Sequence, residues 1–193
     1  RIRPEERKEI EAAYGEKIKA MVIDKDGNEV MGFNAFDIVL KAEKEKKTGE
    51  RKMPLYIFSN NDGKKYFIIP LYGAGLWGPI WGYISLHDDF NTVYGAYFDH
   101  KGETPGLGAE IGSYEIFQQP FEGKKIFAGS NNFVSVRVVK KGQGREFADE
   151  NKVDGISGGT ITSVGTDKMI KEWLEMYLPY INKMKGGEPI NNI

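Results

Sequence analysis

An α+β fold, with antiparallel-rich sheets and helices packed around them, is predicted by three features of this 193-residue sequence. Six or more short apolar runs occur, most of them joined by Gly- and Asn/Asp-rich turn signals that suit hairpins. Helical patterns gather at the ends and between sheet segments, so strands and helices do not alternate as a doubly wound fold requires. The one long amphipathic pattern comes last, behind a Gly-rich loop.

Taken in order, Pro4 to Tyr14 opens with proline and acidic residues and closes at Gly15, the punctuation of a short surface helix. Lys17–Asp24 and Glu29–Phe33 bracket Lys25-Asp26-Gly27-Asn28, where Asp-Gly supplies the positive φ of a tight turn; strand, turn, strand is expected. Lys41 to Lys52 mixes six basic and three acidic side chains with no apolar face, and predicts a solvated helix end or loop. Met53–Ser59 and Tyr66–Leu71 flank Asn60-Asn61-Asp62-Gly63, a second hairpin. Pro79–Leu86 and Thr92–Asp99 repeat the arrangement across His87-Asp88-Asp89-Phe90-Asn91. In Phe133–Lys140, Val134, Val136 and Val138 alternate with Ser135 and Arg137, the period of a half-buried strand. The closing helix spaces Met169, Ile170, Trp173, Leu174, Tyr177, Tyr180, Ile181 and Met184 by one, three and four, one apolar stripe for the core. Pro179 is expected to kink or end it after Leu178.

Apolar residues at 40% and charged residues at 28% place the chain among globular proteins, with the length of one domain over residues 1–193. Its 27 basic and 28 acidic residues leave a net charge of −1, which supplies no basic field for nucleic acid, so that partner class is set aside. Without cysteine there is no disulfide, thiol nucleophile, iron–sulfur cluster or cysteine zinc site. His87 and His100, 13 residues apart, do not match a helical zinc-protease pair and read as surface or satisfied side chains. A charged run follows Arg1 with no apolar stretch of a secretory signal, and a processed form is expected. From Tyr66 to Leu86 there is no charge over 21 positions, long enough for a bilayer. Pro70, Pro79 and four glycines within it favour two buried strands joined by a Gly-rich loop, and the chain reads as a soluble domain.

Three loops carry chemistry. Asp154-Gly155-Ile156-Ser157-Gly158-Gly159-Thr160-Ile161-Thr162-Ser163 sets glycines among hydroxyls before a helix, where backbone N–H groups and the helix dipole favour a phosphate. The plainer reading is a capping turn, with Ser163 or Thr166 as the cap. It is not a P-loop, since the first lysine is Lys168. Gly155 to Gly159 also matches the G-x-S-x-G hydrolase pattern, but no histidine follows Ser157 to complete that order of residues. The second loop, His100 to Glu110, places Pro105-Gly106 and Gly108 where the backbone can approach a flat ligand. The third, Gly73-Ala74-Gly75-Leu76-Trp77-Gly78, sets one large aromatic among small residues, as a flavin-stacking wall or a core corner would.

In this order the three loops resemble the FMN-binding domain shared by the C-subunit of the sodium-translocating NADH:quinone oxidoreductase and the G-subunit of the related Rnf electron-transport complex. The resemblance covers residues 15 to 182, and Leu76-Trp77-Gly78 favours the C-subunit branch. It implies FMN held as a phosphoester on the last hydroxyl of Asp-x-x-Ser/Thr-Gly-Ala-Thr/Ser and installed by a flavin transferase. Asp154, Ser157, Gly158 and Thr160 match, Thr160 is the acceptor, and Gly159 stands where Ala is usual, which should loosen the turn. Thr162, Glu103, Thr104, Gly106, Leu107, Gly108 and Trp77 are the further flavin-binding candidates. An electron-carrying domain is implied, at the periplasmic side of a bacterial inner membrane and beside the other subunits of the complex. A membrane anchor is expected to precede Arg1. The alternative from another class is a free-standing domain that holds a phosphorylated ligand without a covalent bond.

Overall fold

The computed structural model describes residues 15, 17–186 and 191–192, and the helix predicted over Pro4–Tyr14 lies outside them. Strands β1 (Ile18–Ile23), β2 (Met53–Ser59), β3 (Lys65–Ala74), β4 (Pro79–Leu86) and β5 (Val93–His100) form one antiparallel meander in sequential order. The uncharged stretch becomes the β3–β4 hairpin, in register from Phe67 opposite Leu86 to Ala74 opposite Pro79. Its turn is closed by the Gly75 N–H donating to the Gly78 carbonyl at 2.8 Å. Phe67, Ile69, Leu71, Ile80, Ile84 and Leu86 alternate onto one buried face. No helix among the described residues is long and apolar enough to cross a membrane.

The first hairpin stops short. Only Glu29 bridges to Ile23, and the Val30 N–H donates to Val22. Gly32 then turns the chain at φ +83°, and Asn34 caps a 3₁₀ turn over Ala35–Asp37. That turn is fastened to the sheet by the Tyr56 hydroxyl, which donates to the Ala35 carbonyl at 3.2 Å. The expected strand over Glu29–Phe33 is therefore absent, Met31 and Phe33 are exposed, and β1 takes β2 as its ladder partner. The charge-mixed segment forms the short α1 (Leu40–Glu45) and a 3₁₀ turn, solvated as expected except at Glu43. This buried carboxylate accepts from the Lys52 N–H at 2.8 Å and from Lys46 at 2.7 Å.

Helix α2 (Thr160–Met184) lies across the sheet against β3 and buries Met169, Ile170, Trp173, Leu174, Tyr177 and Ile181. Its two largest buried side chains are also anchored: Trp173 Nε1 donates to the Tyr72 carbonyl and the Tyr177 hydroxyl to the Pro54 carbonyl, each at 2.6 Å. Pro179 does not end this helix, which runs on to Met184. Proline costs one helical hydrogen bond, and the burial of Tyr180 and Ile181 immediately beyond it offsets the loss.

The span Phe133–Lys140 is not one strand, because Ser135 adopts φ +67° and divides it. On one side β6 (Phe127–Ala128) pairs with β7 (Asn132–Phe133), which also meets β10 (Asn191–Asn192). On the other, β8 (Arg137–Val139) runs parallel to β9 (Lys152–Asp154), the strand that feeds the Gly-rich loop. Between β5 and β6 the chain makes 3₁₀ and π turns over Ala109–Phe121, where Phe117 and Phe121 pack at an angle on Phe98, with ring centroids 5.1–5.7 Å apart.

The turn at Gly27, φ +73°, rests on the backbone of α2: a Cβ there would overlap Tyr180 N and lie 2.7 Å from the Pro179 carbonyl carbon. Gly27→Ala is therefore expected to cost about 3 kcal/mol in denaturant unfolding, from the left-handed backbone and the overlap together. Gly32→Ala, with open space around it, should cost only about 1 kcal/mol. Equal losses would mean that the turn does not bear on the helix.

Candidate functional site

The three loops singled out in the sequence meet at one buried carboxylate. Glu103 is 5% exposed. It accepts from the Leu76 N–H at 3.2 Å, from the Trp77 N–H at 2.8 Å, and from the Thr162 hydroxyl. Its own N–H donates to His100 Nδ1 at 3.0 Å, which fixes that histidine as a structural partner. Burial pushes the Glu103 carboxyl up, but the Thr162 hydroxyl and the Trp77 and Leu76 amides outweigh it and hold the group below the usual glutamate range. Glu103 is thus occupied by protein donors and positions the loops.

The Pro105–Gly108 turn has its own clamp. Glu110 accepts from Gly106 N–H at 2.6 Å and Gly108 N–H at 3.3 Å, and these bonds lower its pKa, that of Gly106 most. The Thr104 carbonyl closes the turn by accepting from Leu107 and Ala109, and its side chain is exposed. At Gly158, φ +86°, a Cβ would press within 2.6 Å of the Gly106 carbonyl, so only glycine lets the two loops touch. At Gly159 a Cβ would meet Ile156 at 3.0 Å and Gly108 at 3.1 Å. The glycine there closes the packing of the loops, while its backbone, at φ −98°, is one that any residue adopts.

The Gly-rich loop runs straight into α2. Gly159 N–H donates to Ile156, Ser163 N–H donates to Gly159, and no side chain among the described residues caps the helix. The capping expected of Ser163 or Thr166 does not occur, since both lie inside the helix. Ser163 Oγ accepts from the Ile156 N–H at 2.9 Å, and the Thr166 hydroxyl donates to the Thr162 carbonyl at 2.9 Å. With Thr162 spent on Glu103, the exposed hydroxyls are those of Ser157 and Thr160. Both line a cleft of about 350 Å³ with Val138, Lys140, Lys141, Ile156 and Val164, and no carboxylate among the described residues lines it. Asp154 lies instead on a neighbouring cleft of about 700 Å³, together with Glu110 and Asp149. Ser157 has no hydrogen-bonded histidine among the described residues, so a hydrolase arrangement is not assembled.

Two further features complete the site, of which the apolar surface at Trp77 and Leu107 was expected from the sequence and the Arg137–Asp167 pair was not. Arg137 grips Asp167 of α2 through Nε at 2.9 Å and a terminal nitrogen at 2.7 Å, and the Val138 N–H joins the same carboxylate at 2.7 Å. This ties β8, and through it the cleft wall, to the helix; a pair 30 residues apart leaves no local pattern to find. Around the helix start, Trp77 (66% exposed), Leu107, Ile161 and Val164 present apolar surface to solvent, which suits a flat aromatic ligand. An exposed hydroxyl at a helix start, a cleft without carboxylates and apolar surface nearby fit a group with a phosphate at one end and a ring system at the other.

Residues 75–175 match the family model for the FMN-binding domain. The chain is 33% identical over 188 residues to the Na(+)-translocating NADH-quinone reductase C-subunit of Neisseria meningitidis serogroup A, covering 94% of this chain and 71% of that protein. It is 39% identical over 126 residues to the Haemophilus ducreyi protein of that name, covering 64% of this chain and 47% of the relative. It spans about half the length of most such relatives. The crystal structure of that reductase's C-subunit from Parabacteroides distasonis aligns at a TM-score of 0.79 and 46% identity, over 90% of this chain and 83% of that one. The Shewanella oneidensis NqrC structure aligns at 0.77 and 26%, over 92% and 88%.

Because the folded pKa of Glu103 lies below its unfolded value, its stabilisation is complete above about pH 4.3 and is lost as pH falls through the folded value. Glu103→Gln should cost about 2–3 kcal/mol at pH 7 in urea unfolding, and the gap to wild type should shrink below about pH 4.3. A gap that does not change with pH would remove the carboxylate from this role.

Proposed function

Since the chain belongs to the FMN-binding domain family, among the C-subunits of Na(+)-translocating NADH-quinone reductases, we propose that it is an electron-carrying domain with FMN joined to Thr160 as a phosphoester. Its cofactor is FMN. The observation that carries attachment at Thr160 is the accounting of hydroxyls: Thr162, Ser163 and Thr166 are bonded inside the fold, and Thr160 stands exposed on the first turn of α2 over a cleft without carboxylates. There the leading N–H groups of the helix, which have no acceptors within it, would hold the phosphoryl group of a bound FMN. Ser157 opens on the same cleft but precedes the helix.

FMN supplies one- and two-electron chemistry that no side chain of this chain offers. The protein's own contribution is positional. Glu103 and Glu110 hold the Leu76–Trp77 and Pro105–Gly108 loops beside the helix start. Ser157, Gly158 and Gly159 shape the turn below Thr160, and Trp77, Leu107 and Ile161 offer the apolar surface on which the ring rests. Asp154, on the neighbouring cleft, and Thr104, on the exposed turn, complete the set of flavin-binding candidates. The domain works on the periplasmic side of the bacterial inner membrane, within a complex that couples NADH oxidation to quinone reduction and sodium export, and exchanges electrons with neighbouring subunits. A covalent bond keeps the flavin from being lost there.

Coexpression with a flavin transferase should add one FMN less water, about 440 Da, to the intact mass. Fluorescence of the band should survive denaturing electrophoresis. Thr160→Ala should lose both signals, and Ser157→Ala should keep both. No adduct on wild type despite an active transferase would leave a domain that binds its flavin without a covalent bond.

A further inference from the structure

The small cleft over Thr160 carries a positive charge that neither the fold nor any ion pair among the described residues uses. Lys140 and Lys141 line it, and neither ammonium has an ion-pair or hydrogen-bond partner among those residues. Their neighbours in the larger cleft are already engaged: Lys124 donates to the Asp149 carbonyl at 2.7 Å, and Lys152 to Gly144 and Phe147 at 3.0 Å each. The carboxylates Glu110, Asp149 and Asp154 line the larger cleft only.

The backbone beneath these two lysines is fixed from three sides. Val139 lies opposite Asp154 in the β8–β9 ladder, and the Gly155 N–H donates to the Val139 carbonyl at 2.7 Å. The Gln143 N–H closes a turn onto the Lys140 carbonyl at 2.8 Å, with Gly142 at φ +79°. Asp167 of α2 holds Arg137 and the Val138 N–H just before them. The lysine pair therefore sits at a set position beside the loop that delivers Thr160, with only the side chains left to adjust.

We propose that Lys140 and Lys141 form the seat for the flavin's phosphoryl group, drawing it to the Thr160 hydroxyl before attachment and remaining as counter-charge to the phosphodiester afterwards. This rests on the attachment at Thr160 proposed above. Attachment forms the bond from Thr160 Oγ to the flavin phosphorus and breaks the bond from that phosphorus to the nucleotide of a flavin dinucleotide donor. The hydroxyl proton passes to the transferase's base, and the nucleotide leaves with the bonding electron pair as its phosphate. One negative charge stays on the phosphodiester beside the two ammonium groups. Their remaining positive charge favours electrons arriving on the flavin, and so holds its potential higher than a neutral cleft would.

The test compares wild type, K140A/K141A, K140R/K141R and K124A, each incubated with purified transferase and flavin dinucleotide and followed by intact mass. Fully flavinylated samples are then titrated for midpoint potential. The alanine pair should slow attachment about tenfold, the effect of two exposed charge contacts, and shift the potential to more negative values. The arginine pair should restore both, and K124A should change neither. An unchanged potential in flavinylated K140A/K141A overturns the proposal even if attachment slows, because the lysines would then serve only to dock the transferase. A wild-type chain that gains no mass would instead overturn attachment at Thr160 itself.

Discussion

A carboxylate almost removed from water must be given donors, and Glu103 obtains them from two other segments of the chain. Two backbone amides come from the β3–β4 turn and one hydroxyl from the first turn of α2. A single side chain therefore fixes the relative positions of a hairpin tip, the loop after β5 and a helix start. The glycines around it follow from this. At Gly108 a Cβ would lie 2.5 Å from the Thr162 hydroxyl oxygen, and at Gly75 one would lie 2.7 Å from Glu103, so bulk at either place would push the tie apart.

Helix α2 does two tasks with opposite requirements. Its middle is a core spine, anchored by Trp173 and Tyr177 to strand carbonyls and packed on β3. Its first turn is the presenting end, where Thr160 and Ile161 face solvent while Thr162 and Ser163 are buried. The rigidity of the first serves the second. Gly165, where a Cβ would overlap the Ala74 carbonyl, lets the presenting end lie tight against the β3–β4 hairpin. The Arg137–Asp167 pair brings β8 to the same helix, so the cleft's floor and wall share one reference frame.

Charge is divided between two adjoining clefts by the Gly155–Ser157 segment that lines both. Carboxylates and engaged lysines lie on the larger side; Lys140, Thr160 and a helix start lie on the smaller, with Lys141 and Ser157 at the border of the two. A phosphate is attracted to the smaller side alone, whereas the mixed charge of the larger would give it no preference. This separation suits a cofactor held by its phosphate with its ring left near the surface, within reach of electron partners.

Much of this was legible in the sequence. Asn60-Asn61-Asp62-Gly63 announced its turn because the positive φ of Gly63 is a local demand. The period of the closing helix announced its buried face, and the three loop motifs, by resemblance, announced the family. Local signals misled where distant contacts won. The return strand at Glu29–Phe33 lost to β2, which offers β1 a full ladder, and the helix survived Pro179 because buried side chains lie beyond it. The family resemblance pointed to Thr160, but no local pattern says why that hydroxyl stays free, since Thr160 and Thr162 differ only by rotation about the helix and Thr162 is taken up by Glu103, 59 residues away. The sequence by itself determined the central hairpins, the long helix and the chemistry the loops could bear. Tertiary structure alone decided which groups were spent on holding loops together and which were left to face a ligand, because a buried polar group takes its partner from whatever the fold brings near.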